Sequence, residues 1–239
     1  MAKTNGELMR EVHGLAREKG WYRDNQKADG TFTPPSQVST IAKLALIVSE
    51  LSEAIEEARK PSFDPLEVYY IKQSDEIAPA GTKEIFRVPW PKFEGKLIFD
   101  VRGLDAFGAD FRRKPEGFGV ELADSVIRVL DLCGAMGIDI DQWRPTPIEK
   151  RMEEVMTASL HGAGSAEGVL AAIMCVIVEV ASAARCAIRF PSGIEQSLVD
   201  VIDLVRFVAR EMEISLDELI ELKHDFNKSR PYRHGNKGA

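Results

Sequence analysis

The amino-acid sequence predicts a mainly helical fold that carries a small β-containing insert. Three observations support this prediction. Apolar residues recur at helical spacing up to about residue 60 and again after residue 118. Between these stretches, residues 61–117 contain six prolines, many aromatic residues and short β-like runs. The last part of the chain also resembles the first, which predicts two helical repeats packed together as a pseudo-dimer.

The first two helices and the loop between them are predicted from local signals. The first helix covers residues 5–19 and ends at a glycine, which favours a helix C-terminus. Residues 21–35 are polar and contain two prolines, so they predict a loop. The second helix begins after a cap formed by Ser36 or Ser39 and runs to about Lys60, where a proline follows.

The segment 61–117 is predicted to form an aromatic-rich insert with strands. The predicted strands are residues 67–71, 84–88 and 96–101, with glycine-containing turns between them. Basic residues accompany the aromatic ones. The insert could act as a lid over a nucleobase, as an oligomer contact, or simply as a packed β unit with its own core.

Helical periodicity resumes after the insert and continues almost to the end of the chain. The predicted helices are residues 120–136, 145–159, 166–188, 194–211 and 215–229, followed by a polar, basic tail. We assign residues 1–60 and 118–161 to a first repeat, 61–117 to the insert and 162–239 to a second, degenerate repeat.

The second repeat keeps the apolar pattern of the first but loses part of its acidic set. Aligning "ALIVSELSEA" with "MCVIVEVASA", and the later helices likewise, pairs four positions. The pairs are Glu50 with Glu179, Glu53 with Ser182, Glu121 with Ser197 and Asp124 with Asp200. Because two carboxylates become serines, a second metal site is not expected.

Two acidic motifs in the first repeat predict a metal centre. Glu50 and Glu53, and likewise Glu121 and Asp124, lie three residues apart, which places each pair on one helix face. Four carboxylates repel one another unless a cation lies between them, and such hard oxygen ligands suit Mg²⁺ or Mn²⁺. As alternatives, the first pair could be a solvated helix face, and Asp124 could simply pair with Arg128.

The order of these motifs resembles the MazG-like all-α nucleoside triphosphate pyrophosphohydrolases. The resemblance is carried by ExxE, by ExxD within "GVELADSVIRVLDLCGAMGID", by the tail "KHDFNKSRPYRHGNK" and by the start "VHGLAREKGWYRD". It implies Mg²⁺ on Glu50, Glu53, Glu121 and Asp124. It also implies that tail residues contact the triphosphate and sugar: Lys223, Asn227, Arg230, His234 and Lys237.

The resemblance implies cleavage of a nucleoside triphosphate to a monophosphate and pyrophosphate. We expect Glu53, with Glu50, to serve in catalysis, Glu53 as general base, and Trp21 either to stack on the base or to be buried. Alternatives are a dUTPase or dCTPase, a guanosine alarmone hydrolase, or a non-catalytic nucleotide-binding protein. The sequence departs from the family's pattern in two ways: a long insert separates the acidic motifs, and the tail motif follows the second repeat rather than the first.

Composition limits the remaining classes. The 239 residues are 44% hydrophobic and 29% charged, as in an ordinary soluble globular protein. A net charge of −7 disfavours stable binding to nucleic acid. No apolar run reaches the roughly 18 residues of a membrane span, and no signal peptide precedes the first helix. Three cysteines without a CxxC pair suit a reducing compartment, so a cytoplasmic protein is expected; homodimerisation is left open.

Overall fold

The protein is mainly helical, as the sequence predicted. The computed structural model describes residues 3–73, 85–88, 112–147, 166–189, 192–230 and 232. Within these residues there are six α-helices. They are α1 (Asn5–Glu18), α2 (Gln37–Ala58), α3 (Phe118–Met136), α4 (Ala166–Arg189), α5 (Ile194–Glu211) and α6 (Leu216–Ser229).

Local capping explains where the first helices begin and α3 ends. Thr4 caps α1 and forms a reciprocal capping box with Glu7, each side chain bonding the other residue's backbone N–H. The hydroxyl of Ser36 accepts a hydrogen bond from the backbone of Ser39, so Ser36 is the cap of α2. Gly137 ends α3 in the left-handed conformation, with φ of 71°.

A three-stranded antiparallel sheet lies within the insert. The strands are β1 (Val68–Gln73), β2 (Ile85–Val88) and β3 (Arg112–Glu116), in the order β2-β1-β3. β1 and β2 confirm two predicted strands, and the predicted strand 96–101 lies outside the described residues. β3 was not predicted, because its sequence is mostly charged and contains Pro115. A proline is tolerated there because β3 is an edge of the described sheet.

The centre of the helical body is α3. It packs against α1, α2, α5 and α6, and almost its whole circumference is buried. Leu122, Val126, Leu130 and Cys133 are completely inaccessible to solvent. A helix that is apolar on nearly all sides must be enclosed by others. The packing of neighbouring helices therefore buries Glu121 fully and Asp124 and Asp131 in part.

The helices of the last part of the chain form a second layer. α4 packs against both α2 and α5, while α6 packs directly on α3 and touches β3. Residues 143–147, which follow a short 3₁₀ turn, are not helical, and the rest of the predicted helix 145–159 lies outside the described residues. Elements distant in sequence therefore meet on α3.

One end of α6 is fixed to the end of α1. The ammonium of Lys19 donates hydrogen bonds to the backbone oxygens of Lys228 and Arg230, both at 2.7 Å. These are carbonyls that a helix C-terminus leaves without partners. The neighbouring Gly20 has φ of +82°, and a side chain there would collide with the ring of Tyr232. The close approach requires glycine.

α4 is long and apolar enough to cross a membrane when judged by length and composition alone. A core helix of a soluble protein satisfies the same test, so a single helix of this kind is a weak indication. Its exposed face includes Met174, Val178 and Ile188.

Candidate metal centre

Three of the four predicted metal ligands converge in the structure. Carboxylate oxygens of Glu50 and Glu53 on α2 and of Glu121 on α3 all lie within 4.8 Å of one another. The three-residue spacing places both α2 residues on the face that meets α3. Glu50 and Glu121 are buried, whereas Glu53 is exposed. The cluster therefore has two interior ligands and one that solvent can reach.

Glu121 carries the strongest sign that something is to be bound here. Its side chain is only 1% exposed, and when it is ionised neither carboxylate oxygen has a hydrogen-bond donor among the described residues; the carboxyl of Glu116 can bond to it only through a shared proton. A buried carboxylate without partners is strongly unfavourable when ionised. Burial first, and then the adjacent carboxyl of Glu116, raise the pKa of Glu121 far above its ordinary value of 4.5. A divalent cation would satisfy these oxygens and replace the proton.

Glu50 is held by an arginine from the neighbouring helix. The Nε of Arg128 donates to a Glu50 oxygen at 3.0 Å. Burial and the negative charge of Asp124 nevertheless raise the pKa of Glu50, against the opposing effect of Arg128. The alternative in which Arg128 pairs with Asp124 one turn away is corrected by this geometry, because its ion pair is made with Glu50. The arginine thereby fixes the orientation of one candidate ligand.

Asp124, the fourth predicted ligand, is engaged by a buried lysine. The Nζ of Lys223 on α6 lies 2.6 Å from an Asp124 oxygen and also donates to the backbone oxygen of Pro115 at 3.1 Å. Lys223 is 1% exposed. Burial acts to lower the pKa of Lys223, but the negative charges of Asp124 and Glu121 outweigh it and raise the pKa. The lysine therefore stays charged inside the cluster.

Glu116 is a functional-site candidate that sequence reasoning missed. It ends β3, is buried, pairs with Lys114 and adjoins Glu121. Burial opposes ionisation of Glu116, but the contacts with Glu121 and Lys114 outweigh it and lower the pKa. The two carboxyls therefore affect each other's ionisation, and the opposite directions of their pKa shifts favour a single proton between them. The only signal in the sequence was its position just before α3, which is too weak to single it out.

Of the remaining residues predicted to bind substrate, Arg230 lies near this cluster and two others lie outside the described residues. The Oδ1 atom of Asn227 is buried and has no partner among the described residues. Burial lowers the pKa of Arg230, while the charge of Asp124 acts in the opposite direction, which places the guanidinium near the acidic group. Trp21 lies half-buried in the turn after α1. His234 and Lys237 lie outside the described residues.

A second polar cluster continues along the same face of α3. Asp131 accepts a hydrogen bond from the hydroxyl of Tyr22 at 2.6 Å, lies 3.0 Å from the His13 ring and is 3.5 Å from the ammonium of Lys43. Burial and then the Asp131 charge raise the pKa of Tyr22. Asp131 is one turn beyond Arg128. The cluster therefore links the segment after α1 to the candidate metal centre.

The corresponding carboxylates of the last helices find protein partners instead. Glu179 is hydrogen-bonded to Ser197, the residue aligned with Glu121. Asp200 accepts hydrogen bonds from the backbone of Thr146 at 2.7 Å and from Gln196 at 2.9 Å. Within the part of the chain that the structure describes, the acidic group on α2 and α3 is the one that could hold a metal ion.

Comparison with protein-family models, with curated proteins and with solved structures finds no match to this chain. Oxygen-only ligands on rigid helices, one of them accessible, fit a hard divalent cation such as Mg²⁺ or Mn²⁺ better than a soft metal. Such a cation commonly keeps water and takes phosphate oxygens from a substrate.

Proposed function

We propose that the protein is a Mg²⁺-dependent nucleotide pyrophosphohydrolase that converts a nucleoside triphosphate to a monophosphate and pyrophosphate. The observation that carries this proposal is the buried Glu121 carboxylate, which has no hydrogen-bond donor among the described residues when ionised and lies beside Glu50 and Glu53. Such a group is costly unless it has a function. The order of the acidic and tail motifs, which resembles the MazG-like family, points to a polyphosphate substrate.

The roles of individual residues follow from burial and charge. Glu50, Glu53 and Glu121 would hold Mg²⁺, which supplies charge neutralisation on phosphate oxygens and an activated water. Glu53 is exposed and makes the better acceptor for a proton from that water. Arg128 orients Glu50. Arg230, at the end of α6, is the guanidinium best placed to contact phosphate oxygens.

We further propose that the two parts of the chain are degenerate repeats packed as a pseudo-dimer. In support, α2 pairs with α3 and α4 pairs with α5, while α2 packs on α4. The aligned acidic positions fall on equivalent helices. Single-repeat relatives in the MazG-like family complete their sites by pairing, and here α6 would supply from the same chain what a second subunit supplies there. We also propose that the protein is cytoplasmic.

The test is pyrophosphate release from a panel of ribo- and deoxyribonucleoside triphosphates with Mg²⁺. The wild type is compared with Glu53→Gln and with a matched control, Glu56→Gln. Glu56 lies one turn further along α2, is exposed and pairs with Arg59. We expect activity in the wild type and in the control, and a loss of at least about 100-fold in Glu53→Gln, in the range for an acid–base residue.

Other outcomes would change the assignment. Activity on dUTP or dCTP alone would identify a base-specific member of the same class. Cleavage of a guanosine polyphosphate, with no cleavage of triphosphates, would identify an alarmone hydrolase. Binding of nucleotides without turnover by the folded wild type would refute the enzyme and support a nucleotide-binding protein.

A further inference from the structure

An ammonium group lies where the fourth predicted ligand would otherwise face a cation. The Nζ of Lys223 is 2.6 Å from Asp124 and 3.1 Å from the backbone oxygen of Pro115. Its charge also acts on Glu121 and Glu116. The residue is 1% exposed, so its positive charge is held in the interior beside these carboxylates. Lys223 therefore supplies part of the positive charge that balances these carboxylates.

The acidic residues of the centre fall into two groups according to their contacts. On one side are Glu50, Glu53 and Glu121, whose oxygens are within 4.8 Å of one another. On the other is Asp124, which is bonded to the ammonium. Glu121 belongs to the first group and also feels the charges of Lys223 and Asp124, and its two oxygens have no hydrogen-bond donor among the described residues when ionised. Charged groups buried to this degree are tolerated only when each one has a partner of opposite charge and further hydrogen bonds.

We propose that the Lys223 ammonium takes the place of a second cation, so that the centre binds one divalent ion through Glu50, Glu53 and Glu121. The inference rests on the proposed function only in requiring that this centre binds a cation. Lys223 is then a positioning residue and not a group that contacts the triphosphate, in contrast to what the family resemblance implies.

The same lysine connects three elements at the centre. It lies on α6, pairs with Asp124 on α3 and donates to the backbone of β3 at Pro115. β3 also carries the Lys114–Glu116 pair beside Glu121. The insert therefore contributes structure to the centre through its last strand. Replacing Lys223 by an uncharged side chain would remove the ion-pair partner of Asp124 and a positive charge that acts on Glu121 and Glu116.

The test counts bound Mn²⁺ by electron paramagnetic resonance of the free ion, using the full chain without nucleotide. We expect one Mn²⁺ for the wild type and one for Lys223→Arg, which keeps the charge. We expect two for Lys223→Met, because the freed carboxylates form a second site. The double variant Lys223→Met/Asp124→Asn should return to one, and Asp124→Asn alone should keep one with affinity within about threefold of the wild type.

Several results would overturn the proposal. Two ions in the wild type would show that Lys223 does not exclude the second one. One ion in a folded Lys223→Met variant, or loss of binding in Asp124→Asn, would show that Asp124 belongs to the first site. If Lys223→Met does not fold, Mn²⁺ binding by Asp124→Asn still shows whether Asp124 is a ligand of the first ion. Absence of Mn²⁺ binding by the folded wild type would refute both this proposal and the cation centre of the proposed function.

Discussion

Replacing Glu121 by glutamine should stabilise the metal-free protein, although Glu121 is a candidate metal ligand. In the folded, metal-free chain this carboxyl stays protonated near neutral pH, because burial and Glu116 raise its pKa. In the unfolded chain it ionises with a pKa near 4.5. The unfolded state therefore gains free energy from ionisation that the folded state does not gain.

The size of this effect follows from the pH. Each pH unit above the unfolded pKa is worth about 1.4 kcal/mol while the folded group stays neutral. At pH 7 the glutamate therefore destabilises the fold by about 3 kcal/mol, and at pH 5 by less than about 1 kcal/mol. The sign is that of a raised pKa: stability is retained at low pH and lost as pH rises. Glutamine removes the penalty and can donate to Glu116.

The measurement is urea unfolding of wild type and Glu121→Gln in EDTA at pH 5 and pH 7. We expect the variant to exceed the wild type by up to about 3 kcal/mol at pH 7, with the difference nearly gone at pH 5. Glu53→Gln is the control, because Glu53 is exposed and should change little. A variant less stable than wild type at pH 7, or a difference independent of pH, would refute the reasoning.

Three further predictions can be checked on the same preparations. Saturating Mg²⁺ should raise the melting temperature more at pH 8 than at pH 6, since binding must displace the Glu121 proton; thermal unfolding with and without EDTA measures this. Leu130→Ala should cost about 2–5 kcal/mol in urea unfolding, because the side chain is fully buried on α3, and exposed Val178→Ala should cost far less. Tyr22→Phe should cost about 1–3 kcal/mol by leaving Asp131 short of a donor, seen as a lower urea midpoint with an unchanged slope.

The helices were predictable because their signals are local. The apolar period, the Ser36 cap and the glycine at 137 lie within the segments that they define, and the structure confirms all three. The convergence of Glu50, Glu53 and Glu121 was also predictable, since each motif places its carboxylates on one helix face and repulsion requires a cation. The helices needed no knowledge of how distant segments pack, whereas the convergence of the two motifs was predicted from the shared chemistry of their carboxylates and from the family resemblance.

The parts that sequence reasoning missed depend on contacts between distant segments. Lys223 and Asp124 are 99 positions apart, and no local pattern indicates that a lysine will be buried against that aspartate. The Glu116 contact depends on an edge strand that contains a proline. Arg128 could reach carboxylates on two helices, and tertiary packing of α2 on α3 decided between them. Asp131 bonds side chains from α1, α2 and the turn that follows α1.

The hydrogen bond from Lys19 to Lys228 has a consequence for how the chain folds. It joins residues separated by 209 positions, and α3 between them packs against both α1 and α6. A contact of such long range forms only after a large loop has closed, which slows folding. During synthesis, α1, α2 and α3 emerge from the ribosome well before α6. For that interval Arg128 can already pair with Glu50, but Asp124 lacks its partner Lys223, so the acidic centre is completed only when α6 has been made.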